Sequence, residues 1–222
     1  PGFPAVRRAL HADASCEIYL LESDPRCSLI LVLVPIGSES GSVIGKRLVR
    51  WWTRLGPERL APQKISENSE ITGAFFEAVV QVKGEWLGQG SNPALDESAL
   101  YALLTALVYL ANEGAEENLL PSFQPSLLWK SESNGGLRVA SLFAASPAEG
   151  AERAMVRDIG RVVYWLAAGI DLFTTSTPDS PPPLSRWSKG VGPQLSALVA
   201  RCIGSGKTGG RIDVLATLRA AV

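Results

Sequence analysis

Histidine and cysteine are scarce in this 222-residue chain, and their scarcity excludes several classes of site. His11 is the only histidine and is predicted to be a surface residue, so a Ser/His/Asp triad or a multi-histidine metal site would depend on one residue near the start of the chain. The three cysteines, Cys16, Cys27 and Cys202, lack CxxC spacing, which argues against a zinc site and against a disulfide framework. We therefore expect a protein of the reducing cytoplasm without a metal.

Charge is also sparse, since charged residues make up 19% of the chain and the formal net charge is −1. A nearly neutral chain has no basic field with which to hold a nucleic-acid backbone, so nucleic acid is not an expected partner. The longest apolar run, residues 99–111, is shorter than the ~20 residues that cross a bilayer, and it predicts a buried helix without membrane insertion. Because the chain begins Pro1-Gly2-Phe3-Pro4 without methionine, we expect it to be a piece of a longer protein.

The first part of the chain is rich in β-prone runs around one amphipathic helix. Residues 16–21 and 28–34 are joined by a turn-like segment and predict a hairpin. Apolar residues at helical intervals predict a helix over residues 43–55. Residues 71–82 predict a further strand, which we expect to form a hairpin with residues 86–87.

The composition changes after residues 88–93, a Gly/Ser/Asn/Pro segment that predicts a hinge. Asp96 or Ser98 is a candidate N-cap for a helix that runs to about Asn112 and ends at Gly114. The dipeptide Asn134-Gly135 predicts a tight hairpin turn between strands at residues 126–129 and 137–142.

Three further helices are predicted toward the end of the chain. Asp158 is a candidate N-cap for a helix over residues 159–168 that Gly169 closes. Residues 194–203 and 213–221 predict the last two helices, with Asp213 as N-cap of the second. Residues 174–183 are too rich in proline for regular structure and are interpreted as a connecting loop in preference to a Pro-rich ligand or a phosphorylation site.

Two segments in the second half carry a resemblance to a known family. Asp158-Ile159-Gly160-Arg161-Val162-Val163-Tyr164-Trp165-Leu166-Ala167-Ala168-Gly169 resembles the central helix segment of protein kinases, with its leading acid and closing glycine. The series Leu195, Leu198, Val199, Arg201, Cys202, Ile203 and then Arg211 is similar to the end of that family's domain. The resemblance implies a buried ion pair between Arg211 and Glu149, the latter in Ser146-Pro147-Ala148-Glu149, which stands where the family has A-P-E.

The resemblance implies an α+β class and a two-lobed protein-kinase-like fold. Residues 15–88 would form a small strand-rich N-lobe with one helix, and residues 89–222 a mainly helical C-lobe with a β-hairpin. An unrelated α+β binding domain is the alternative if the contact between Glu149 and Arg211 is absent.

The positions at which the family carries its catalytic residues hold other residues here. Kinases use a strand lysine, a helix glutamate, a catalytic-loop aspartate and a metal-binding Asn and Asp. Residues 28–35 contain no lysine, and no glycine-rich loop precedes the first predicted hairpin. Aligned on Pro125, Ser122 replaces the aspartate of H-R-D and Leu127 the asparagine, and Ser141 replaces the aspartate of D-F-G. Without these carboxylates nothing holds Mg²⁺ on a triphosphate, so no cofactor is expected.

These substitutions predict a catalytically inactive pseudokinase. We expect such a domain to have a regulatory or scaffolding role in signalling, in which it binds other proteins or neighbouring domains of its own chain. A possible partner surface consists of Trp51, Trp52, Arg50 and Arg54, although packing of one tryptophan into the first lobe is the favoured interpretation.

The alternative is a divergent phosphotransferase or nucleotide-binding domain that recruits unusual residues: Lys46, Lys64, Lys83, Glu77 and Glu85. The segment Gly204-Ser205-Gly206-Lys207-Thr208 lacks the first glycine of a P-loop, since Arg201 stands there, and is interpreted as an inter-helix loop.

Overall fold

A six-stranded antiparallel sheet occupies the first part of the chain in the computed structural model. Its strands are β1 (Val6–Ala12), β2 (Glu17–Leu21), β3 (Ser28–Pro35), β4 (Lys64–Ser66), β5 (Ile71–Thr72) and β6 (Phe75–Val82). The strand order is β1-β2-β3-β6-β4, and β5 pairs with β6.

The structure describes residues 6–12, 17–21, 28–35, 64–66, 71–72, 75–82, 84–86, 95–116, 120–121, 123, 128–131, 137–139, 145–146, 151–170, 182–187, 190–204, 212 and 214–222.

The predicted hairpin of β2 and β3 is confirmed by an antiparallel register from Glu17 opposite Leu33 to Leu21 opposite Leu29. β3 is a continuous apolar run, and it lies between β2 and β6, a central position in which such a run is typical. The sheet also contains β1, which the sequence analysis missed and which precedes the boundary predicted at residue 15. The helix predicted over residues 43–55 lies outside the described residues.

The prediction of a hairpin after β6 is wrong. β7 (Gly84–Trp86) pairs with β9 (Leu128–Ser131), with Gly84 opposite Ser131 and Trp86 opposite Trp129. Only Lys83 separates β6 from β7, and a hairpin requires a loop of at least about two residues. β7 therefore continues away from the first sheet and joins a second one.

The second sheet has the order β10-β9-β7, in which β10 is Leu137–Val139. β9 and β10 are antiparallel, which confirms the hairpin predicted around Asn134-Gly135. β8 (Leu120–Pro121) and β11 (Ala145–Ser146) form a separate two-stranded pair.

Helix α1 (Glu97–Glu116) confirms the long buried helix of the prediction. Asp96 is its N-cap, because the Asp96 Oδ1 atom accepts a hydrogen bond of 2.7 Å from the Ala99 N–H. Gly114 does not end the helix and is buried within it. Most exposed positions of α1 follow one stripe, and its buried residues lie on the other faces; the exposed residues are Ser98, Ala102, Thr105, Tyr109, Ala115 and Glu116.

Helix α2 (Ala151–Ala168) begins seven residues before Asp158. The prediction of Asp158 as an N-cap is therefore wrong, and this residue lies in the middle of the helix. The predicted end is confirmed: Gly169 has a φ of 72°, and its N–H donates to the Trp165 carbonyl at 2.8 Å.

Helices α3 (Pro193–Ile203) and α4 (Leu215–Ala221) complete the helical part, after a short 3-10 turn at Leu184–Arg186. Pro193 begins α3 and Gly204, with a φ of 90°, ends it. Val214 occupies the N-cap position of α4 without a side-chain hydrogen bond, so the prediction of Asp213 as N-cap is wrong. No helix in the described part of the chain has the length and apolarity to cross a membrane.

Among the residues whose burial the structure describes, the core lies between the helices, with α2 at its centre. α2 packs on α1, α3, α4, β8 and the 3-10 turn. The Tyr164 hydroxyl, in α2, donates to the Pro182 carbonyl at 2.9 Å, which fixes the approach to the 3-10 turn. The arrangement of the sheets and the helices as two lobes stays a prediction.

Candidate functional site

A half-buried carboxylate, Asp158, lies in the middle of α2, the central helix. Asp158 Oδ1 is 3.7 Å from Arg161 Nη1, and their side chains are 17% and 16% exposed. Burial raises the pKa of Asp158 from 3.8 to about 6, and the positive charges of Arg161 and Arg157 act against this rise. The Arg157 Nε atom is also buried and has no hydrogen-bond partner among the described residues. Asp158 is thus an acid of the sequence prediction whose surroundings disfavour its charged form.

Glutamate side chains from the starts of α1 and α2 each bind the start of a later helix. The Leu215 N–H, at the first residue of α4, donates to Glu152 Oε1 at 2.7 Å. The Gly192 N–H, at the N-cap of α3, donates to Glu97 Oε1 at 3.0 Å. Neither α3 nor α4 has a side-chain cap of its own. These carboxylates therefore act as caps supplied from distant parts of the chain.

The lack of a side chain at Gly192 allows the Glu97 carboxylate to approach the backbone of this residue. A Cβ atom at Gly192 would lie 2.8 Å from Glu97 Oε1, closer than non-bonded atoms approach. Glu97, Glu152 and Gly192 carry no signal in the sequence, because a carboxylate that caps a helix far along the chain leaves no local pattern.

No family model and no curated protein matches this chain. Solved structures do match it, over 97% of its length. They include the autoinhibited serine kinase domain of the giant muscle protein titin, with a TM-score of 0.57, 10% identity and 78% of that chain covered. A pseudokinase in its apo form has a TM-score of 0.51, 12% identity and 89% coverage. Titin kinase with its flanking domains has a TM-score of 0.58, 10% identity and 46% coverage.

The chain has a protein-kinase-like fold. At these identities the likeness shows the fold alone, and the matched structures comprise kinase domains and a pseudokinase. These matches therefore do not decide whether the chain is catalytic, which depends on the residues at its own catalytic positions.

Within the kinase-like fold, the strand expected to carry the phosphate-binding lysine is present as β3 and contains no lysine. Of the residues considered for an unusual catalytic role, Lys64 lies opposite Gln81 in the sheet and Glu77 lies opposite Leu33. Glu85 lies opposite Lys130 in the other sheet. Lys46 and Lys83 lie outside the described residues.

The three replaced catalytic positions fall outside the described residues. In the sequence, Ser122 follows β8, Leu127 precedes β9, and Ser141 stands between β10 and β11. Phe123, next to Ser122, is fully buried. The proposed ion pair of Glu149 and Arg211 and the possible partner surface likewise lie outside the described part; that surface consists of Arg50, Trp51, Trp52 and Arg54.

The connection from β11 to α2 is very short. β11 ends at Ser146 and α2 begins at Ala151, so residues 147–150 alone join them. The early start of α2 leaves few residues here for an activation segment of the kinase type.

We expect Glu152→Ala to lower the free energy of unfolding by about 1–2 kcal/mol, because the Leu215 N–H loses a charged acceptor. Glu152→Gln should lose less, since its amide oxygen can still accept the bond. Denaturant unfolding measures the loss, and hydrogen exchange at the amides of α4 locates it. Unchanged protection of α4 in Glu152→Ala would show that the contact does not stabilise this helix.

Proposed function

We propose that the chain is a catalytically inactive pseudokinase domain that acts as a regulatory or scaffolding module by binding protein partners or neighbouring domains. The observation that carries the proposal is the absence of the phosphate-binding and metal-binding residue types at every aligned catalytic position of a chain that keeps a kinase-like fold. Loss at all positions weighs more than loss at one, because one residue can sometimes be replaced by another nearby.

The chemistry explains why this pattern favours binding over catalysis. Phosphoryl transfer depends on positioning and on the neutralisation of charge by Mg²⁺. Mg²⁺ is bound by carboxylates together with the phosphates of the substrate, and Ser122, Leu127 and Ser141 provide no carboxylate. β3 offers no lysine for the α- and β-phosphates.

The spacing of two aligned motifs supports the same proposal from the side of the protein substrate. Residues 142–148 alone stand between Ser141, at the D-F-G position, and Glu149, at the A-P-E position, which is too few for a long segment that holds a peptide beside the transferred phosphate. The helical part, by contrast, is closely packed and held by caps between distant segments, as expected of a domain that presents a fixed surface.

A thermal-shift titration with ATP and Mg²⁺ tests the proposal. A domain without nucleotide binding should show no dose-dependent rise in melting temperature, because a ligand stabilises only the state that it binds. Transfer of radiolabelled phosphate to generic peptide substrates should also be undetectable, with an active kinase domain as the positive control. Saturable stabilisation by ATP and Mg²⁺ together with transferred label would replace the proposal by the divergent phosphotransferase.

A further inference from the structure

An arginine and a tryptophan are exposed side by side at the 3-10 turn. Trp187 directly follows the turn and is 48% exposed. Arg186, also exposed, places its guanidinium carbon 5.8 Å from the centre of the Trp187 ring, within the range at which an aromatic face attracts a cation. These two side chains are called the Arg186–Trp187 surface.

The backbone that carries this surface is fixed to the helical core. Leu184 is 1% exposed, and the turn packs on α2 and α3. The Arg186 N–H donates to the Pro183 carbonyl at 3.0 Å, and the next N–H donates to the Leu184 carbonyl at 2.9 Å. Both side chains also act on the buried Tyr164: burial raises the pKa of its hydroxyl, and a hydrogen bond from Trp187 and the charge of Arg186 act against this rise. A surface that is ordered before binding costs a partner less conformational entropy.

The chain around this surface is basic. Residues 180–212 contain five lysine and arginine residues and no aspartate or glutamate, although acids and bases are nearly balanced over the whole chain. Residues 159–170, the second half of α2, contain no acid either. The Glu97 carboxylate, which reaches this run from α1, already accepts the Gly192 N–H at 3.0 Å. Within the described part of the chain, Arg186 therefore has no carboxylate as a partner.

This composition decides the class of the occupant. A guanidinium binds a carboxylate through two parallel hydrogen bonds, and tryptophan and arginine are the residues that contribute most to the binding energy of protein interfaces. A nucleic-acid backbone is bound through many cations, whereas this surface exposes one arginine and the net charge of the chain is −1.

We propose that the Arg186–Trp187 surface binds an acidic segment of a protein partner. An Asp or Glu carboxylate of that segment pairs with the guanidinium of Arg186, and a neighbouring apolar residue packs on the exposed part of the Trp187 ring. The inference rests on the proposed function, because it identifies the surface through which the module binds its partner.

Peptide selection on the whole 222-residue chain tests the proposal without a known partner. A phage-displayed random peptide library is selected on the immobilised protein, and enriched peptides are synthesised with a fluorophore for anisotropy titrations. Enriched sequences should contain Asp or Glu beside Leu, Phe or Pro. Their binding should weaken as salt is added, because salt screens a pair of charges at the surface.

Substitutions at the surface identify the site of binding. Arg186→Gln should weaken binding of the selected peptides about tenfold, which corresponds to 1.4 kcal/mol. Arg186→Lys should lose less, because it keeps the charge but not the paired hydrogen bonds. Trp187→Ala should also weaken binding about tenfold, because the apolar contact is lost. Arg219→Gln is the matched control: it removes an exposed arginine of α4 with the same change in net charge, so binding should be unchanged. Circular dichroism checks that each variant is folded.

Three results would overturn the inference: no enriched acidic peptide, equal weakening by Arg186→Gln and Arg219→Gln, or peptides insensitive to Trp187→Ala. Single-stranded oligonucleotides and phosphatidylserine vesicles are titrated alongside, and binding of either that Arg186→Gln abolishes, without an acidic peptide, would assign the surface to another class of partner.

The ATP titration on the same preparations separates this failure from that of the proposed function. A chain that ignores ATP but selects no acidic peptide loses only the Arg186–Trp187 surface as a binding site. A chain that binds ATP and transfers phosphate while selecting acidic peptides loses only the pseudokinase proposal.

Discussion

Gly160→Leu is expected to destabilise the helical core on the order of 3 kcal/mol or more, because α2 and α3 cross in direct contact at this glycine. A Cβ atom at Gly160 would lie 2.7 Å from the Cys202 Cβ atom and 3.1 Å from Ile203 Cγ1. Cys202 is a buried free thiol, and burial raises its pKa to about 12, so its role at this crossing is packing and not reactivity.

Gly160→Ala tests the same contact more gently. Alanine favours a helix over glycine by about 1 kcal/mol. Overpacking of a close contact costs about 1–3 kcal/mol, so we expect a net loss of stability. Gly190→Ala is the matched control, since a Cβ atom there meets nothing within 4 Å. Denaturant unfolding compares the three proteins, and a Gly160→Ala variant as stable as Gly190→Ala would show that the helices separate easily.

Because of Asp158, we expect the free energy of unfolding to decrease as the pH rises from about 4 to above 6. The native pKa of Asp158 is raised to about 6 from 3.8, so between these values the native state binds more protons than the unfolded chain. The free energy of unfolding then decreases with increasing pH. Between pH 4 and pH 7 this raised pKa lowers the free energy of unfolding by an amount on the order of 3 kcal/mol.

Asp158→Asn isolates this contribution, because the amide has the shape of the carboxylic acid but does not ionise. We expect the variant to match the unaltered protein near pH 4 and to be the more stable of the two at pH 7. Denaturant unfolding of both proteins at a series of pH values measures the difference, in which the effects of all other carboxylates cancel. A variant that is less stable at pH 7 would mean that further donors hold the Asp158 carboxylate in its charged form.

The helices and the β9–β10 hairpin were predictable because their signals are local. Apolar residues at helical spacing identified α1, and Asp96 and Gly169 marked a helix start and a helix end. Asn134-Gly135 identified the hairpin. These signals depend on a few neighbouring residues, which is why the structure confirms them.

Predictions failed where a contact from elsewhere decides the structure. The acid Asp158 resembles a cap, yet α2 extends before it because Met155 and Val156 are buried in the core. β7 pairs with β9, more than forty residues away along the chain, which no turn signal at Lys83 could indicate. The candidate site was predictable only as a set of missing residues, because the absence of a carboxylate is read directly from the sequence. The contacts of Glu97 and Glu152 were not predictable, because they depend on how distant helices pack.

The carboxylate contacts of α3 and α4 have a consequence for the order in which the chain folds. Glu97 and Gly192 are separated by 95 residues, and Glu152 and Leu215 by 63. Contacts at such separations form late, since the chain between them must first become compact. During synthesis, α1 and α2 therefore leave the ribosome well before the amides that their glutamates will bind. A ribosome-bound chain stopped before residue 190 is missing both of these amide donors, so α1 and α2 would emerge without the contacts that Glu97 and Glu152 make in the folded protein.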